Sequence, residues 1–103
     1  MLPFQHLQKS NTKDNLWLYI LFFLEKKGSA YAWELQSLIE QSFDFKPGRI
    51  TPYRVLYRLE KQGLVKSQAE EIKRVYQITK NGEKELAKAR EFFQKLSQEL
   101  KHD

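Results

Sequence analysis

The chain has 103 residues, 41% of them hydrophobic, and a net charge of +5. That bounds it to one domain with an appendage and one modest core, and excludes a disordered chain. The absence of cysteine excludes disulfides, thiolate metal sites and cysteine nucleophiles, and fits a reducing, cytoplasmic setting.

Residues 1–13 give an ambiguous signal, compatible with a short helix that Pro3 starts and Ser10-Asn11-Thr12 ends, with Phe4 and Leu7 packing inward. The next helix, capped by Asp14 or Asn11, runs to about Lys27 and stops at Gly28. It contains nine consecutive apolar residues, Leu16 to Leu24. A membrane span needs about twenty, so this run marks a central helix covered on several sides. A secretory signal is the nearest rival, since Lys9 and Lys13 precede the run and Gly28-Ser29-Ala30 follows it. The charges of Glu25, Lys26 and Lys27 stand where a cleavage region is neutral, and cleavage would remove a helix the domain needs.

Ser29 is placed to cap a second helix, about residues 30–42, with Ala32, Leu35, Leu38 and Ile39 as its buried stripe. Phe43 to Gly48 connects, with Pro47-Gly48 as the turn signal, and Thr51-Pro52 starts a third helix that runs to about Gln62 and ends at Gly63. Two helices and a turn-bearing connection are helix-turn-helix organisation. Residues 64–69 and 73–79 then read as a small β-hairpin. Its loop, Glu70-Glu71-Ile72, has no glycine, which argues against a tight two-residue turn. The expected fold is mostly α with a small β-hairpin: a winged helix-turn-helix over 1–79 plus a long C-terminal helix over 80–103. On that last helix Leu86, Ala89, Phe93, Leu96 and Leu100 alternate in steps of three and four, and Phe92 widens the stripe. The seam needs a partner, either its own domain or a second subunit; its place at the chain end favours dimerisation.

The charge excess has one address. From Lys46 to Lys66 the basic residues are Lys46, Arg49, Arg54, Arg58, Lys61 and Lys66, against the single acid Glu60, and the other segments nearly cancel. On the third helix Val55, Leu56 and Leu59 face inward. Arg54, Arg58 and Lys61, at i, i+4 and i+7, share an outward face flanked by Tyr53 and Tyr57. Arginine forks pair with guanine edges or phosphates, and Thr51, tyrosine hydroxyls and free N–H groups hold phosphates. In the hairpin Lys66, Lys73 and Arg74 extend the basic surface, while Glu70 and Glu71 near the tip oppose it. Either the tip points away from DNA or only the base of the wing makes contact. The expected partner is double-stranded DNA; a protein module binding an acidic partner uses the same charges. No enzyme is expected. The chain shows no nucleophile–base pair and no P-loop frame, and its two histidines, His6 and His102, lie at opposite ends, without metal-ligand spacing. No cofactor is expected.

These residues carry a resemblance. Leu18-Tyr19-Ile20-Leu21, Tyr53 and Leu56, Arg58-Leu59-Glu60, Gly63-Leu64-Val65, then Arg74, Tyr76, Ile78-Thr79 and Gly82, resemble the PadR family of winged-helix transcriptional regulators over about residues 16–86. Two stretches depart from it: Ala32-Trp33-Glu34 stands for the family's glycine-tyrosine-glutamate, and Ile50-Thr51-Pro52 for its glycine-threonine-leucine. The resemblance implies a homodimeric repressor on a roughly palindromic operator. It also implies a possible small aromatic effector, for which Trp17, Trp33, Phe92 and Phe93 are the candidate lining, although aromatics at helical spacing are more often plain core.

Overall fold

The computed structural model describes residues 1–43, 45–48 and 51–101. Asp44, Arg49, Ile50, His102 and Asp103 lie outside the described residues, and so does the expectation that Arg49 meets DNA. The described chain forms α1 (Pro3–Ser10), a 3₁₀ turn (Lys13–Asn15), α2 (Leu16–Lys27), β1 (Ala30–Tyr31) and α3 (Ala32–Phe43). It continues as α4 (Thr51–Lys61), β2 (Val65–Glu70), β3 (Lys73–Ile78) and α5 (Lys80–Leu100).

The apolar run of α2 is the centre of the fold. Leu16, Ile20, Leu21, Phe23 and Leu24 are buried, and Trp17, Leu18, Tyr19 and Phe22 are partly buried around them. Helices α3, α4 and α5 and strand β3 all pack on it. Burying each large side chain contributes about 1.5–3 kcal/mol, so this helix alone supplies much of the core. Gly28 ends it at φ +90°, with its N–H donating to the Leu24 carbonyl. Among the described residues no helix is long and apolar enough to cross a membrane.

Three local expectations are corrected. Helix α3 begins at Ala32 rather than Ala30, because Ala30 and Tyr31 form a third strand on β3, paired Ala30↔Tyr76 and Tyr31↔Val75. The sheet is antiparallel in the order β1-β3-β2. Ladder pairing satisfies backbone groups that a helix end leaves open. The Glu34 carboxylate adds to this, accepting from Tyr31 N–H at 3.0 Å and pairing with Lys27 at 2.9 Å.

The hairpin turn is the second correction. Pairing runs from Val65↔Ile78 to Glu70↔Lys73, leaving only Glu71 and Ile72 in the turn. Glu71 adopts φ +56°, the left-handed region that glycine usually fills. The third concerns α1. It forms, but Phe4 and Leu7 are exposed rather than packed inward, and among the described residues the side-chain hydrogen bonds that tie α1 to α2 and the 3₁₀ turn are at its C-terminal end. There Tyr19 donates its hydroxyl to the Asn11 carbonyl, and Asn15 Nδ2 donates to the Ser10 carbonyl at 3.0 Å.

Helix α5 is anchored at its start. Thr79 caps it, its Oγ1 accepting from Gly82 N–H at 3.1 Å. Leu86 reaches the shared core, and Arg90 pairs with Glu25 of α2. Beyond Arg90, Phe92, Phe93, Leu96 and Leu100 are exposed.

Candidate nucleic-acid interface

Helix α4 is a two-sided rod. Pro52, Leu56 and Leu59 are buried and Val55 is half-buried, so they define the floor. One hundred degrees per residue then puts Arg54, Tyr57, Arg58 and Lys61 on the far side, with Tyr53 and Glu60 on one flank. Burial agrees: Thr51, Tyr53, Arg54, Tyr57, Arg58 and Lys61 are all exposed. The Lys61 ammonium lies 4.9 Å from the Tyr57 ring centre, a cation–π contact that leaves its charge in place. Among the described residues, none of Arg54, Arg58 and Lys61 is in an ion pair with a carboxylate.

A Schellman turn closes α4. Gly63 sits at φ +76°, Gly63 N–H donates to the Glu60 carbonyl at 3.0 Å and Leu64 N–H to the Leu59 carbonyl at 2.9 Å. The chain therefore turns directly into the wing. Between α4 and the start of α2 lies a cleft of about 540 Å³, into which Arg54, Arg58 and Thr51 face together with Trp17, Asp14 and Glu85.

The wing divides the basic residues assigned to it. Opposed residues of the ladder share a face, so Val65, Ser67, Arg74, Tyr76 and Ile78 look one way. Val65 and Tyr76 are buried, which makes this the inner face. Arg74 belongs with α4: its Nη1 donates to Ser67 Oγ at 3.0 Å, and Ser67 Oγ donates to Glu60 Oε2 at 2.7 Å. Lys66 and Lys73 are on the opposite face, where the Lys73 ammonium stands 5.5 Å from the Tyr31 ring centre. Glu70 is drawn back from the tip by Tyr31, whose hydroxyl donates to its Oε2 at 2.7 Å. This bond, and then the charge of Glu70, push the Tyr31 phenol above its ordinary pKa. The tip itself presents Glu71 and an almost fully exposed Ile72.

The links made by Tyr31, Glu60 and Ser67 are not legible in the sequence. Tyr31 lies inside an expected helix, Glu60 figures as the one acid of a basic stretch and as part of Arg58-Leu59-Glu60 with no contact assigned to it, and Ser67 carries no signal without the hairpin register. Burial raises the pKa of the Tyr76 phenol, and the charge of Glu60 raises it further while Arg74 opposes.

The four aromatics named as a possible effector lining do not meet. Trp17, Phe92 and Phe93 border one hollow of about 340 Å³. Trp33 is elsewhere, exposed and stacked on Tyr31 with the ring planes 10° apart. The seam residues also divide. Leu86 is in the chain's own core and Ala89 is half-buried, while Phe92, Phe93, Leu96 and Leu100 border a groove of about 870 Å³ with Phe4 and Leu7 of α1.

Several solved structures share this arrangement. A transcriptional regulator from Clostridium thermocellum is 28% identical, with a TM-score of 0.72 over 82% of this chain and 87% of its own. A PadR family transcription regulator from Clostridium difficile is 26% identical, with a TM-score of 0.70 over 80% and 90%. A PadR-like transcription factor from Bacteroides fragilis, at 22% identity, shares the fold with a TM-score of 0.78 over 94% and 97%. No curated protein matches the chain at a significant level. Residues 18–88 match the transcriptional regulator PadR-like family, whose members regulate transcription and are not enzymes. With five α-helices and a small antiparallel sheet among the described residues, and a family match over most of its length, the chain belongs to the PadR-like family of winged-helix transcriptional regulators.

Proposed function

We propose that the chain binds double-stranded DNA as a homodimeric repressor, with α4 entering the major groove. The observation that carries this is the outward face of α4, where Arg54, Arg58 and Lys61 are exposed and, among the described residues, free of carboxylate partners. An unpaired guanidinium fork can meet guanine O6 and N7 or a phosphate. Tyr53, Tyr57 and Thr51 supply hydroxyls beside it, and Lys66, Lys73 and Arg74 add wing contacts to the flanking backbone. Arg49 joins this set on the sequence pattern alone.

The dimer reading is supported by α5. Ala89, Phe92, Phe93, Leu96 and Leu100 continue a seam that Leu86 anchors to the core, and Phe92, Phe93, Leu96 and Leu100 are left exposed by the described residues. A second copy packed there buries the seam, and the pair presents two α4 helices. A twofold pair then matches a palindromic operator whose half-sites are about 34 Å apart.

The test is duplex binding by Arg54→Ala and Arg58→Ala. Each is expected to weaken binding by about 1–3 kcal/mol while leaving the melting temperature nearly unchanged. Wild-type affinity in both variants would contradict the proposal.

A further inference from the structure

The single acid of the basic segment is not loose. Glu60 projects from the wing-facing flank of α4, and its Oε2 accepts from Ser67 Oγ at 2.7 Å. The same Oγ accepts from Arg74 Nη1 at 3.0 Å. One hydroxyl thus joins α4, β2 and β3. Its only proton goes to the carboxylate, which polarises the oxygen towards the guanidinium and strengthens both bonds. Ser67 and Arg74 are diagonal neighbours on the inner face, opposite Tyr76 and Ala69 respectively.

The spacing of the charges decides what this arrangement can do. A direct carboxylate–guanidinium pair would be a brace and would neutralise the arginine. Here a hydroxyl stands between the two charges, and among the described residues Glu60 and Arg74 form no ion pair. Arg74 spends one of its five N–H donors on Ser67, and a fork with free donors is held in one orientation. The other wing cations, Lys66 and Lys73, stand on the opposite face of the hairpin, where Lys73 lies over the Tyr31 ring, and among the described residues neither is held by a hydroxyl–carboxylate relay.

We propose that Ser67 and Glu60 are positioning residues that aim the Arg74 guanidinium at a duplex phosphate beside the groove entered by α4. The inference rests on the function proposed above and assigns roles to two residues outside the basic set. It also gives the acid of α4 a use: Glu60 turns a wing arginine towards the helix instead of repelling the ligand.

The experiment uses the full chain and a duplex selected from random sequence, with affinity measured by fluorescence anisotropy from about 50 to about 200 mM salt. Arg74→Ala is expected to weaken binding and lower the salt slope by about one per copy, about two for the dimer. Arg74→Lys keeps a charge and is expected to restore the slope but not the full affinity. Ser67→Ala is expected to lose about three- to tenfold in affinity. Ser67→Thr, which keeps the hydroxyl, is expected to recover it. An Arg74→Ala slope equal to that of a well-binding wild type would overturn this inference alone, as would equal losses for Ser67→Ala and Ser67→Thr. Wild-type protein without salt-dependent duplex binding would overturn the proposed function and this inference with it.

Discussion

Thr79 Oγ1 donates to the Gly63 carbonyl oxygen at 2.7 Å, across 16 residues of chain. Thr79 Oγ1 in turn accepts from Gly82 N–H at 3.1 Å, and Thr79 N–H donates to the Leu64 carbonyl at 3.1 Å. One threonine therefore ties the end of α4, the end of the wing and the start of α5 together. The direction of the exposed seam on α5 is set relative to the cationic face of α4 by this knot.

Gly82 is the sensitive point of that knot. A Cβ there would overlap the Leu64 carbonyl and stand 2.7 Å from Ile78 Cγ1. Alanine is normally the better helix former by about 1 kcal/mol. Here overpacking against backbone outweighs that gain. Gly82→Ala is expected to destabilise the chain by about 2 kcal/mol, lowering the melting temperature by about 10 °C. Thermal unfolding followed by circular dichroism checks it, and an unchanged or higher midpoint would contradict the packing described.

Glu71 points the other way. Its left-handed φ of +56° costs a side-chain-bearing residue about 1–2 kcal/mol. Asparagine tolerates this region better without the unfolded-state entropy that glycine adds. Glu71→Asn is expected to stabilise the chain by about 0.5–1 kcal/mol, measured by urea unfolding. Destabilisation would show that the Glu71 side chain makes a contribution larger than its backbone strain.

Much of the fold was legible in the sequence, and the failures share a cause. The apolar run of α2, Gly28, Thr51-Pro52 and Gly63 are local signals, and the structure uses them as the residue chemistry requires. The strand at Ala30–Tyr31 was not legible, because it exists only through pairing with β3 more than forty residues later. The tight turn at Glu71 is missed because six ladder pairs, a cooperative gain that no single residue of the loop signals, outweigh one unfavourable φ. In the candidate site, the outward cations of α4 follow from helical periodicity. The Glu60–Ser67–Arg74 chain depends on hairpin register, and the separation of Trp33 from Trp17 depends on packing, neither of which periodicity carries.

Glu34 gives a pH dependence. Its carboxylate accepts from Tyr31 N–H and then from Lys27, and both hold its pKa below the usual glutamate value. A carboxylate with a lowered folded pKa contributes stability above its unfolded pKa, about 4.3, and loses it as pH falls through the folded value. At pH 7 Glu34→Gln is therefore expected to be less stable than wild type by about 0.5–1 kcal/mol. The gap is expected to shrink as pH drops below about 4.3. Urea midpoints at several pH values measure it; a gap that stays constant into the acid range would contradict the ionic origin.

The seam on α5 is tested by Leu96→Glu. Leu96 is 44% exposed within the chain, so the change spares the monomer's core. A charge placed in a dimer seam is desolvated without a partner and costs several kcal/mol. Sedimentation is expected to show a wild-type dimer and a folded monomeric variant. A wild-type monomer at micromolar concentration would contradict the dimer reading.

The most direct measurement is duplex affinity of the wild-type chain against salt. Each phosphate neutralised releases condensed counterions, so engagement of two α4 faces and their wings requires a steep dependence. The expected result is affinity falling by about three orders of magnitude or more between 50 and 200 mM salt, with a log–log slope of about −5 or steeper. A flat response, or no duplex binding at the low-salt end, would contradict the claim that the cationic face of α4 is a DNA-binding surface.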